Sequence, residues 1–246
     1  MNEILIADSL DEKRLTEVIQ EIAEDTPQNK TTDYMNKWKE IFNHNHTASA
    51  SHKIHVVGLL GSKKDYANEK RDATMARTLL AFVNDPANAQ LVQNGCYCFV
   101  GLTHAFQSPY LINGHEVATF GSLLKEHRMG VTSMVQLAID SYCYLPKNGE
   151  MPSPPDEATK LVSSIGPISY INNIVNLEKA SKGGIETAIY ELNAEGSPFK
   201  GRNDLVGIKA SLPIMAQPYE GLPGRSTTDY FQWVFLIRDR QAPKPL

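Results

Sequence analysis

Tyr230-Phe231-Gln232-Trp233-Val234-Phe235-Leu236-Ile237-Arg238 is the stretch whose reading decides the fold class. Aromatic and branched side chains run through it almost unbroken, which suits a strand inside a sheet better than a helix with a solvated face. Working backward, residues 205–215 and 185–192 have the same character and are set apart by Gly, Pro and Asn clusters. The pattern predicts three antiparallel strands, a β-meander that closes the chain. The loops between them, including residues 196–201 and 218–225, are long for hairpins and read as contact surfaces.

Upstream of residue 184 the period is helical. Ser9-x-x-Glu12 has the form of a capping box, and Leu15, Val18, Ile19 and Ile22 follow at helical spacing. Tyr34, Trp38, Ile41 and Phe42 mark a second helix, and Met75, Leu79, Leu80 and Val83 a third over residues 65–83. Asp85-Pro86 pairs a cap with a first-turn proline. Further helices are expected over 116–128, 133–143, 156–164 and 167–181. Two short strands are expected at 4–7 and 54–60, and residues 96–102 read equally as buried helix or strand.

Together these features predict an α+β protein, mostly helical in its N-terminal and central region, followed by a C-terminal antiparallel three-strand β-meander. Gly149, Pro152, Pro154 and Pro155 make residues 147–155 the best linker. The division is then 1–146, mainly helical with one or two short strands, and 156–246, two short helices plus the meander, with one shared core left open. The segment Ile4-Leu5-Ile6-Ala7-Asp8 and the helix after it resemble the opening of a response-regulator receiver. That resemblance implies an acidic residue such as Asp8 delivered to a metal pocket. It ends by Ile22, because no second strand with a lone terminal aspartate follows, and the reading kept is a plain strand and helix.

The 246 residues suffice for a substantial core, and 41% hydrophobic with 21% charged residues is ordinary for a globular protein. No apolar run approaches the roughly 20 residues needed to cross a bilayer. The N-terminal residues lack a basic-then-apolar secretory pattern. Three cysteines, Cys96, Cys98 and Cys143, point to reduced thiols and a cytoplasmic setting or incorporation in a virion or other assembly. Residues 1–62 hold six Lys/Arg and ten Asp/Glu, so that quarter alone matches the whole chain's net charge of -4. So weak a field argues against a dedicated DNA-binding module.

Four of the seven histidines, His44, His46, His52 and His55, crowd into one segment without a carboxylate or thiol among them. An extended His44-x-His46 joined by His52-x-x-His55 would suit zinc, copper or nickel, and the simpler reading is a solvated loop. Cys96 after Asn94-Gly95 would be an activated thiol if a helix began there, with His115 as its base. His104, on the same helix eight residues on, would lie about 12 Å away and out of reach. Gly58-Leu59-Leu60-Gly61-Ser62-Lys63-Lys64 has the setting of a phosphate loop without its spacing. Lys63, Lys70 and Arg77 at seven-residue intervals, with Lys64 and Arg71 beside them, form a basic line suited to RNA phosphates in a polymerising nucleoprotein.

None of these groupings has its full catalytic complement, and no cofactor is expected. The preferred expectation is a non-enzymatic, self-assembling or scaffold-type subunit, a homo-oligomer or part of a larger complex such as a virus, phage or bacterial assembly. Tyr230, Phe231, Trp233 and Phe235 are its expected interface, through edge pairing of the last strand. The alternatives are a hydrolase or transferase using Cys96 and His115, and the RNA-binding nucleoprotein.

Overall fold

Helix positions follow from where side chains can meet orphan backbone groups, and Asp11 supplies the first example. Its carboxylate accepts from the Arg14 N–H at 2.9 Å, so the first long helix, α2 (Glu12–Ala23), starts there and the Ser9 box is not used. The computed structural model describes residues 1–24, 26, 29–60, 70–139, 141–144, 158–161, 168–170, 187–202, 208–210, 219–241 and 244–246. The architecture is α+β, with most helices in the N-terminal and central regions and most strands toward the C-terminus.

The chain divides into two compact units, each assembled from separate stretches. One comprises Met1–Val57, Tyr142–Thr159 and Gln241–Leu246. It contains α1 (Asn2–Leu5), α2 and α3 (Thr32–Thr47). Leu15, Val18 and Ile19 of α2 bury against Met35, Trp38 and Phe42 of α3, with Ile4 and Leu5 of α1 completing the cluster. The expected strand at 4–7 is therefore a helical turn, and the receiver-like opening has no first strand. At the chain's end, Thr32 N–H donates to the Lys244 carbonyl at 2.8 Å and Leu246 N–H to the Lys30 carbonyl at 3.1 Å.

The expected strand at 54–60 has no strand partner among the described residues. Asn45 lies on the buried face of α3, and its amide bonds both backbone groups of Ile54. Asn2 does the same for Val56. With the backbone groups of Ile54 and Val56 bonded by side chains, the segment joins no sheet among the described residues, and Ile54 remains 41% exposed.

The other unit comprises Gly58–Ser141 and Lys160–Arg240. Here α4 (Arg71–Asn84) and α6 (Phe120–Glu126) bury Met75, Ala76, Leu79, Phe120 and Leu124 together. Between them in sequence lies a short 3-10 turn, Pro86–Asn88, capped by Asp85, then α5 (Ala89–Val92) and a second 3-10 turn, Leu102–Ala105. Where a helix was expected from 116, β1 (Tyr110–Ile112) and β2 (His115–Val117) form a hairpin, and α6 begins only after it. Asn113 and Gly114 turn it with φ of 51° and 76°, the left-handed pair that an Asn-Gly dipeptide favours. Strand β9 (Tyr219–Gly221) pairs with the other side of β1.

Residues 133–143 also differ from the helix expected. They form β3 (Met134–Ile139) and the start of β4 (Ser141–Tyr144). Val135 and Leu137 are buried while Met134 and Gln136 are exposed, the alternation of a sheet with one covered face. Strand β10 (Trp233–Arg238) runs parallel to β3 on one side and antiparallel to β7 (Thr187–Glu191) on the other. The β-rich C-terminal region thus has a different wiring from a simple meander. Strand β8 (Ile208–Ala210) pairs with β6 (Ile168–Tyr170), and β5 (Ala158–Leu161) lies beside β4. Both β5 and β6 fall inside segments expected to be helical. The expected linker 147–155 lies outside the described residues.

The parallel pairing of β3 and β10 is anchored by side-chain amides. Gln107 Nε2 donates to Gln232 Oε1 at 2.7 Å and to the Val131 carbonyl at 3.0 Å, while Gln232 Oε1 also accepts from Ser133 N–H at 3.0 Å. Above this network Phe106 packs edge-on against Tyr110 and Tyr230 and stacks on Phe231. Val135, Leu137, Leu192, Val234 and Leu236 complete the core of this unit.

Candidate functional site

The histidine-rich segment is no loop at its start. Helix α3 continues through it, which carries His44 and His46 on helical turns, leaves His52 in a 3-10 turn and His55 in extended chain. His44 Nε2 meets the His52 carbonyl at 3.0 Å, His46 stacks on Phe42, and His52 Nδ1 meets Ser49 Oγ at 2.7 Å. The rings of His44, His46 and His52 are thus engaged with protein locally, and His55 is exposed. Among the described residues no three His, Cys, Asp or Glu side chains converge as metal ligands.

Cys96 follows Gly95, whose φ of 86° ends the preceding helical region, and it lies in irregular chain where no helix begins. The helix field invoked to activate its thiol is therefore absent. Cys96 is exposed, and His115 is exposed on β2 opposite Ile112. No hydrogen bond joins the two among the described residues. Cys98 is half-buried, and its pKa is raised by burial and, secondarily, by neighbouring Cys96.

Of the basic line, Lys70 precedes α4, Arg71 opens it, and Arg77 lies two turns on, all three exposed. Lys63 and Lys64 lie outside the described residues. Arg77 borders a groove of about 490 Å³ between α4 and α6, floored by Ala73, Ala76, Leu80 and Leu123. An apolar floor of that kind offers nothing to a phosphate backbone.

The aromatic strand is placed differently from the expectation. Both edges of β10 are occupied within the unit, so it has no free edge to offer, and Tyr230 and Phe231 are fully buried. Trp233 and Phe235 alternate with buried Val234 and Leu236 and so face the opposite side of the sheet, where they are half-buried. Trp233 lies beside Met134 of β3, and Phe235 beside Ile189 of β7. Met134 is 50% and Ile189 57% exposed. This outer face carries these four apolar side chains next to one another, flanked by exposed Glu191 beside Trp233 and exposed Gln136 beside Phe235.

One polar centre was missed by the sequence reading. His104 Nδ1 meets Asp72 Oδ1 at 2.8 Å with both side chains mostly buried. The same carboxylate oxygen accepts from the Phe120 N–H in the first turn of α6. Nearby, the pKa of Tyr110 is raised by burial, an effect opposed by its bond to Thr103 and reinforced by Asp72. Asp72 thereby ties α4, the 3-10 turn and α6 together, and it orients the imidazole as a base's partner would. No hydroxyl or thiol among the described residues is hydrogen-bonded to that imidazole, and the bonds of Asp72 are a tie between the three elements. The residues lie 32 apart, and no local pattern joins them.

No protein-family model, no curated protein and no solved structure matches this chain. No helix among the described residues is long and apolar enough to cross a membrane.

Proposed function

We propose that the chain is a non-enzymatic, self-assembling structural subunit that joins copies of itself through apolar protein surface. The observation that supports this reading is the outer face of β3-β10-β7, where Met134, Trp233, Phe235 and Ile189 stand as two neighbouring cross-strand pairs. Covering such a row removes apolar surface from water, at roughly 25 cal/mol for each Å² buried. Single exposed apolar residues are ordinary on a protein surface, whereas a contiguous row built on rigid strands is the form that contact surfaces take. The C-terminal quarter that carries most of it, residues 184–246, has seven basic and seven acidic residues, so no net charge opposes its approach to a copy of itself.

The test is the double substitution Met134→Lys with Ile189→Lys, which alters exposed positions and leaves the inward-facing Val135, Leu137, Val234 and Leu236 in place. Sedimentation equilibrium of the full chain is expected to show the associated species lost or shifted to higher concentration. Association that persists unchanged in the folded variant would contradict this use of the sheet face.

A further inference from the structure

Burial alternates along residues 96–100, Cys-Tyr-Cys-Phe-Val. Tyr97 is 91% and Phe99 70% exposed, while Cys98 and Val100 pack against the cluster of Met75, Leu79, Phe120 and Leu124. A period of two marks extended backbone, in which every second side chain leaves the chain on the same side. Cys96 therefore shares a side with Cys98, exposed where Cys98 is half-buried. The two thiols also sense each other, since the pKa of Cys98 is raised first by burial and then by Cys96.

Two sulfurs so placed suit a bridging atom better than a bond to each other. Positions i and i+2 of an extended chain lie about 6.6 Å apart, and side chains on one side keep their Cβ atoms near that spacing. A disulfide needs those atoms roughly 3.8 Å apart. A metal ion held at about 2.3 Å from each sulfur spans about 4.6 Å between them, which rotation about the two Cα–Cβ bonds supplies. We infer that Cys96 and Cys98 bind one soft monovalent metal ion, of the chemistry of Cu(I), between two thiolates.

The donor set decides the class of ion. Thiolate and thioether sulfur select Cu(I), which accepts two ligands in a line where structural zinc takes four. On the inner side the neighbours of Cys98 are hydrocarbon, and the thioethers of Met75 and Met129 belong to the same cluster. Such surroundings suit a soft ion and give no oxygen ligand to calcium or magnesium. On binding, two S–H bonds break, two S–Cu bonds form and two protons leave, with no change of oxidation state. The cation between the sulfurs also removes the repulsion that two bare thiolates would feel. The site needs one chain only, so the inference stands apart from the self-assembly reading.

The reduced full chain, titrated with Cu(I) under argon against a colorimetric Cu(I) chelator, tests the site. One Cu(I) per chain is expected to be withdrawn from the chelator. Cys96→Ser and Cys98→Ser, each checked for folding by circular dichroism, are each expected to lose that capacity, and Cys143→Ser to keep it. X-ray absorption of the copper-loaded chain is expected to show sulfur ligands alone. Zinc at the same concentration is expected to leave both thiols open to alkylation. A parent chain that leaves all Cu(I) with the chelator overturns the inference. So does a folded Cys96→Ser or Cys98→Ser variant that binds as the parent does, loss of binding in folded Cys143→Ser, nitrogen or oxygen bound to the copper, or protection of both thiols by zinc.

Discussion

The amide of Asn45 holds both backbone groups of Ile54: Nδ2 donates to its carbonyl at 2.9 Å and Oδ1 accepts from its N–H at 2.7 Å. Asn45 Nδ2 also reaches the Leu5 carbonyl at 3.3 Å. Asn45→Ala leaves the part-buried carbonyl and N–H of Ile54 without these partners, at a cost of about 1–3 kcal/mol. Asn45→Asp keeps the acceptor and loses the donor, so an intermediate loss is expected. Urea denaturation of the two variants checks the order, and an Ala variant as stable as the parent chain would contradict the role.

Gly121 sits in the first turn of α6, where an added Cβ would lie 2.5 Å from the Phe106 carbonyl oxygen and 3.0 Å from that of Ala105. Alanine ordinarily favours a helix over glycine. Here the contact is with backbone that cannot swing aside, and Gly121→Ala is expected to lose about 1–3 kcal/mol. Thermal unfolding measures it, and a rise in midpoint would show that α6 and residue 106 do not approach so closely.

These two sites show why parts of the fold were legible and others were not. Helices α2 and α3 announce themselves through Leu15, Val18, Ile19, Trp38 and Phe42, because helical spacing is local. The paired strand at 233–238 was plain for the same reason. The failures share a cause in distance along the chain. Nothing near residue 54 reveals that an asparagine on α3 will replace its strand partner, and nothing near 134 reveals a parallel neighbour a hundred residues away. The Asn113-Gly114 turn was local and readable, yet the helical look of 116–128 masked it. Among the expected interface residues, Trp233 and Phe235 lie on the outer face of the sheet, and edge pairing of their strand is taken up by β3 and β7 on either side of β10. The Asp72–His104 tie depends on three elements meeting and left no trace in the sequence pattern.

Lys37 offers a pH test. Its ammonium lies 3.9 Å from the Tyr34 ring centroid and 4.3 Å from that of Trp38, and burial lowers its pKa from 10.5 to about 8. Ring contacts favour the cation and offset part of the burial effect. Between about 8 and 10.5 the unfolded chain keeps a proton that the folded chain has released, so Lys37's contribution to stability rises with pH across that window. Relative to Lys37→Met, the parent chain should therefore gain stability from pH 8 to pH 10. A stability difference independent of pH would contradict the shift.

The thiols separate the contact reading from an enzyme. Burial pushes the Cys98 thiol up, whereas Cys96 is exposed. Alkylation mapped by mass spectrometry is expected to label Cys96 before Cys98, at the rate of an ordinary accessible thiol. Rapid labelling of Cys96 that persists well below neutral pH would instead mark a nucleophile, and would revive its pairing with His115.

The central claim is that this chain is arranged to be covered by copies of itself. Light scattering of the full chain, followed across a hundredfold range of concentration under native conditions, tests it most directly. The expected result is a mass that climbs from one chain to two or more as concentration rises. A mass that stays at 27.3 kDa throughout would contradict the account.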